Sequence, residues 1–182
     1  MLIKKKIIWI VFFTVLVGFA YVLFYTMNKS QTQSILENNE TVHDDICRYI
    51  ETHIFSDWSR PDFFTICEYR LLDFDNQYIY IYAKGEDFQR DKTDNKILFR
   101  TNACLAPVRL TYKLQGDTLV ITDAITPQEG AFYSEQLVQL FPSTVRDGMY
   151  NNEKNSMLEE LVIKRAFRIF EIPYNPTNCR TD

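Results

Sequence analysis

Residues 7–27 are 21 consecutive positions without a charge, directly behind Lys4, Lys5 and Lys6. As a helix rising about 1.5 Å per residue, the run spans ~31 Å, against about 30 Å for the hydrocarbon core of a bilayer. Residues 1–27 are therefore expected to form a membrane anchor. Three lysines stand before the run and only Lys29 lies close behind it. That asymmetry predicts the N-terminus inside and the rest of the chain outside the cytoplasm, a single-pass cell-membrane protein. The competing reading is a signal peptide cleaved after Ala20, at the small-x-small triplet Gly18-Phe19-Ala20. Against it, the sequence stays apolar through Tyr21, Val22, Leu23, Phe24 and Tyr25, where a signal peptide turns polar.

Beyond the anchor, residues 28–40 are rich in Asn, Gln, Ser and Thr and read as a juxtamembrane tether. Residues 41–182 have the length of one domain with a core of its own. All 24 acidic residues and 17 of the 20 basic ones follow the anchor, so the exported part carries a formal charge of −7. A field of that sign repels nucleic acid, and no basic run opposes it. The expected partners are the membrane and an unknown protein or small molecule.

Cys47, Cys67, Cys104 and Cys179 all fall on the exported side, where thiols are oxidised, and their even number suggests two disulfides. Three connectivities are open. No C-x-x-C pair occurs, which removes the usual zinc knuckle and the thioredoxin-type motif.

Periodicity organises the domain. Val42, Ile46, Tyr49, Ile50, His53 and Ile54 recur at helical steps, and residues 58–61 are expected to end that helix. Period-two alternation then marks strands around Phe64 and Ile66 and from Tyr78 to Tyr82, with a turn at residues 73–76. The charged stretch 84–96 reads as a solvated loop. Val108, Leu110, Tyr112 and Leu114 alternate with polar residues, and Gln115-Gly116-Asp117 turns this strand into residues 118–122. Helices follow at residues 134–141 and from Ser156, where Ser156 and Glu159 fit a capping box. On the second helix Leu158, Leu161, Val162, Arg165, Ala166 and Ile169 trace one face, and Glu160 pairs with Lys164. The predicted fold is α+β: an N-terminal transmembrane helix, a helix, an antiparallel β-meander, and C-terminal helices packed on one face.

Residues 105–142 contain that hairpin, then Thr126-Pro127-Gln128-Glu129-Gly130, an aromatic at Tyr133, and a short helix ending in Phe141-Pro142. This stretch resembles the extracytoplasmic C-terminal region of BlaR1-like, M56-peptidase-related bacterial membrane proteins and their small anchored relatives. It departs from their pattern in having Glu129-Gly130 where Asp-Gly is usual, and in its four cysteines. The resemblance implies an extracytoplasmic fold and a role in envelope sensing. Physically, Pro127, Gly130, Tyr133, Phe141 and Pro142 read as a structural turn with its docking residues, and Gln128 and Glu129 as ligand-contact candidates.

No catalytic constellation is legible. H-E-x-x-H, G-x-S-x-G, Walker A and dinucleotide glycine patterns are absent. His43 and His53 lie ten residues apart on one helix, so their rings are ~15 Å apart along its axis and share no metal. His43, with Asp44 and Asp45, reads as a solvated first turn. No metal or cofactor is expected. The leading function is a membrane-anchored, non-enzymatic extracytoplasmic domain that binds or senses an unknown ligand. The alternative is a cleaved, secreted hydrolase built from scattered carboxylates, of which Asp57, Asp62, Glu68 and Asp73 are the nearest in sequence.

Overall fold

The computed structural model of the chain describes residues 2–56, 60, 62–116 and 118–181. Helix α1 (Leu2–Asn38) is followed by α2 (Glu40–His53), strands β1 (Phe64–Phe74), β2 (Tyr78–Arg90), β3 (Leu98–Gln115) and β4 (Thr118–Ile125), and helices α3 (Tyr133–Leu140), α4 (Ser143–Met149) and α5 (Asn152–Ile169). A 3-10 turn, Pro176–Asn178, leads into the short strand β5 (Cys179–Thr181). The fold is α+β. Strands β1 to β4 form an antiparallel meander in sequence order, and β5 adds to β3 in parallel, so the five-stranded sheet is mixed.

Helix α1 is longer than its apolar run. Among the described residues one helix, at the N-terminus, is long and apolar enough to cross a membrane, and none of its apolar window is buried by the rest of the protein. Residues 28–38 of the expected tether continue α1, and its last turns dock on the domain. Ile35 and Leu36 pack against the main core, and Gln31 Nε2 donates to the Gly116 carbonyl (3.2 Å). Thr32, 1% exposed, meets the Tyr112 hydroxyl at 3.3 Å, and that hydroxyl donates to the Asp75 carbonyl at 2.6 Å. Asn39 ends α1 and begins α2, its side chain accepting from the Val42 amide (3.2 Å).

Alternation of side chains across the strands gives the sheet two covered faces. On one, Val42, Ile46, Cys47 and Ile50 of α2 pack on Cys67, Tyr69, Ile79, Ile81, Val108, Leu110 and Tyr112. On the other, α5 places Val162, Ala166 and Phe167 over Ile66, Phe88 and Leu98. Helices α3 and α4 lie on that face too, setting Leu137, Phe141, Val145 and Met149 against Tyr80 and Tyr82. The three C-terminal helices thus share one face, as their patterning suggests, while α2 takes the other.

The stretch expected as a solvated loop is mostly strand, with Lys84, Glu86 and Asp87 buried in β2. Charge pairing makes this tolerable. Lys84 lies 3.8 Å from Glu86 and 3.5 Å from Glu159 of α5, and Arg100 lies 3.4 Å from Glu86 and 2.7 Å from Glu159. Asp87 accepts from Thr65 Oγ1 at 2.7 Å. Two smaller expectations also change. Helix α5 begins earlier, capped by Asn151 on the Lys154 amide (3.0 Å), so Ser156 lies inside the helix and donates to the Glu153 carbonyl. The ending of α2 at residues 58–61 lies largely outside the described residues; the helix itself stops at His53. The β3–β4 hairpin is as expected, with Gln115 opposite Thr118 and Gly116 at φ 63°; Asp117 lies outside the described residues.

Candidate functional site

Strand β1 is an edge of the sheet, so among the described residues one side of its backbone has no neighbouring strand. An uncovered edge invites pairing with another chain and is usually blunted by charge or covered. Here α2 reaches it from one face and α5 from the other. Glu51 Oε1 accepts from the Cys67 amide at 2.8 Å, in place of a sixth strand. Arg165 of α5, 7% exposed at its side chain, pairs with Asp44 and lies 3.9 Å from both Glu51 and Glu68. Arg168 adds Glu40 (2.9 Å) and Asp44 (3.5 Å) from the outside.

Within this seam lies a compact chemical group. His43 and Cys47 stand four apart on α2, on the same face of the helix. Glu68 comes to them from β1. His43 Nε2 is 2.8 Å from Glu68 Oε2 and 3.7 Å from Cys47 Sγ, and the three donor atoms lie within 4.8 Å of one another. The His43 ring stacks on Tyr69 with centroids 4.6 Å apart and planes at 22°, which fixes its orientation.

Electrostatics follow from the contacts. The hydrogen bond with Cys47, and next the one with Glu68, push the His43 pKa up to about 10 against the desolvation that opposes it, so the imidazole is a cation at neutral pH. Cys47 is held below the ordinary thiol range by its hydrogen bond with the Cys67 thiol and by His43 and Arg165, although its burial works the other way. Burial pushes Cys67 well up, so Cys67 remains a neutral thiol. The centre is an imidazolium between the Glu68 carboxyl group and the Cys47 sulfur, with a second thiol beside it.

This is not the arrangement of a nucleophilic triad. There the base contacts the nucleophile through one ring nitrogen and is oriented through the other. Here Cys47 and Glu68 address the same nitrogen, Nε2, and Cys47 is fully buried. Of the scattered carboxylates, only Glu68 belongs to this group. Glu68 and Asp73 are five residues apart on β1, ~15 Å along an extended strand, and Asp62 lies before it. Asp57 lies outside the described residues.

The cysteines correct the disulfide expectation, because all four are unpaired. Cys104 of β3 lies opposite Gly85, and Cys179 of β5 lies opposite Leu98 of β3. Leu98 and Cys104 are six positions apart on one strand, so Cys104 and Cys179 are separated by ~20 Å. A disulfide needs Cα atoms about 4.4–6.8 Å apart. Cys47 and Cys67, by contrast, are neighbours in the α2–β1 core.

The turn singled out in the sequence lies elsewhere. Gly130 has φ 101°, Pro127 and Phe141 are buried, Tyr133 is half-buried, and Pro142 precedes α4. Thr126 donates to the Pro107 carbonyl (2.9 Å), and the Gln128 amide donates to Gln136 Oε1 (2.8 Å). Gln128 and Glu129 are exposed on the rim of a cleft of about 290 Å³ that also takes in Phe55, Cys104 and Tyr133. The arrangement is that of a turn fastening α3 to the sheet.

No family model matches the chain, and neither a curated protein nor a solved structure matches it significantly.

Proposed function

We propose that the chain is a membrane-tethered, non-enzymatic binding or sensing domain held outside the cytoplasm. The observation that carries this reading is the continuity of α1, an unbroken helix from the uncharged span into turns that dock on the sheet through Ile35, Leu36, Thr32 and Gln31. Residues 12–27 are exposed along their whole length, an apolar surface that water does not tolerate and a bilayer does. A helix rigidly joined to the domain can pass a displacement of one to the other, which a flexible tether cannot. Against a nucleophilic-triad hydrolase stand the shared nitrogen of His43 and the buried Cys47. The lysines before the span support the outward placement of the domain.

The test is made on the full chain in cell membranes. It should stay in the membrane pellet through alkaline carbonate washing, and protease added to intact cells should remove the domain and leave a fragment of span size. Release into the supernatant, or protection of the domain from outside protease, would overturn the reading.

A further inference from the structure

We propose that His43, Cys47 and Glu68 bind a borderline divalent metal ion of the zinc class, with Nε2, Sγ and one carboxylate oxygen as its protein ligands. Imidazole nitrogen, thiolate and carboxylate are the donor types such ions take from proteins. With bonds of about 2.0–2.3 Å, neighbouring donors of a tetrahedral ion sit ~3.3–3.8 Å apart. The 3.7 Å between His43 and Cys47 is already at that spacing. The 2.8 Å between His43 and Glu68 opens by ~0.5 Å once an ion replaces the proton between them.

The surroundings support an ion as well. Two ligands sit one helical turn apart on α2 and the third on the adjacent strand, so the donors are held by regular structure. Tyr69 fixes the plane of the His43 ring. Arg165 approaches Glu68 through Oε1 (3.9 Å), which leaves Oε2 turned toward His43, the outer-shell orientation that metal-ligating carboxylates commonly receive. Asp44 and Glu51 add negative charge around the centre, and among the described residues Arg165 alone pairs with both. With its side chain 31% exposed, His43 leaves the fourth coordination position within reach of water or of a partner's donor. The inference rests on the binding-domain reading, for which it names the ligand; a chain that took no metal would leave the result of the membrane extraction unchanged.

The experiment uses the full chain in detergent micelles, kept reduced with a phosphine and titrated with Co²⁺ and then with Zn²⁺. Expected are one Co²⁺ per chain with a thiolate-to-cobalt charge-transfer absorption, displacement of that absorption by Zn²⁺, and its loss in Cys47→Ser. His43→Ala should abolish stoichiometric binding, whereas the double substitution of Cys104 and Cys179 by Ser should leave it unchanged. Circular dichroism reports whether each variant folds. Absence of the charge-transfer band in the unsubstituted chain would overturn the proposal by itself, whatever the variants do. A band that survives in Cys47→Ser, or one that the Cys104 and Cys179 substitutions remove, would overturn it too.

Discussion

Replacing Arg165 by Met is expected to destabilise the domain by about 3–5 kcal/mol, the cost of removing one partner from a buried ion-pair network. The side chain of Arg165 is 7% exposed and is the only basic group among the described residues that reaches Asp44, Glu51 and Glu68 together. Without it, Glu51 and Glu68 remain in a site of low exposure with less compensation, and the seam between α2 and α5 loses its link across the edge of β1. A lysine at this position should restore only part of the loss, because an ammonium cannot span three carboxylates as a guanidinium fork does. Arg168 provides the comparison. Its side chain is 53% exposed and its partner Glu40 78% exposed, so Arg168→Met should cost no more than about 1 kcal/mol. Denaturant unfolding of the full chain in micelles, followed by circular dichroism, separates the two. Equal effects at the two positions would show that the seam is not the buried network described.

Phe55→Ala is expected to cost about 3–5 kcal/mol, as for other large aromatic truncations in a packed core. Phe55, 1% exposed, folds back from the end of α2 onto Gly85 in the middle of β2. A Cβ at residue 85 would stand 2.5 Å from Phe55 Cδ2 and 2.8 Å from its Cγ, closer than atoms pack. The contact includes the base of the ring, so rotation of the ring tip does not relieve it. Gly85→Ala should therefore cost about 1–3 kcal/mol as overpacking. The two substitutions should also couple: with Phe55 cut to Ala the added methyl has room, and the double variant should lose clearly less than the sum. Strict additivity in the double-mutant cycle would contradict the contact.

Much of the domain can be read from residue spacing because its elements obey one rule at a time. The β3–β4 hairpin alternates cleanly and turns at a glycine, and α2 and α5 carry an apolar stripe. Reading fails where a distant residue changes the meaning of a local one. Lys84 and Glu86 look solvated until Arg100 and Glu159 are brought to them, Asp87 until Thr65 donates to it, and residues 28–38 look like a tether until Tyr112 and the Gly116 carbonyl supply their partners. The His43 site has the same history. Beside Asp44 and Asp45 the histidine reads as part of a solvated first turn, and the legible signal against that was the four-residue step to Cys47. Glu68 could not be found that way, since a strand 25 positions away supplies it. The even cysteine count misled for the same reason: β3 holds Cys104 and Cys179 far apart.

The apolar helix is continuous with the turns that dock on the domain. Intact-mass measurement of the chain purified from membranes tests it most directly. Expected is a mass that includes residues 2–20. A chain beginning at Tyr21 would contradict it, because the apolar residues left, 21–27, are too few to span a bilayer.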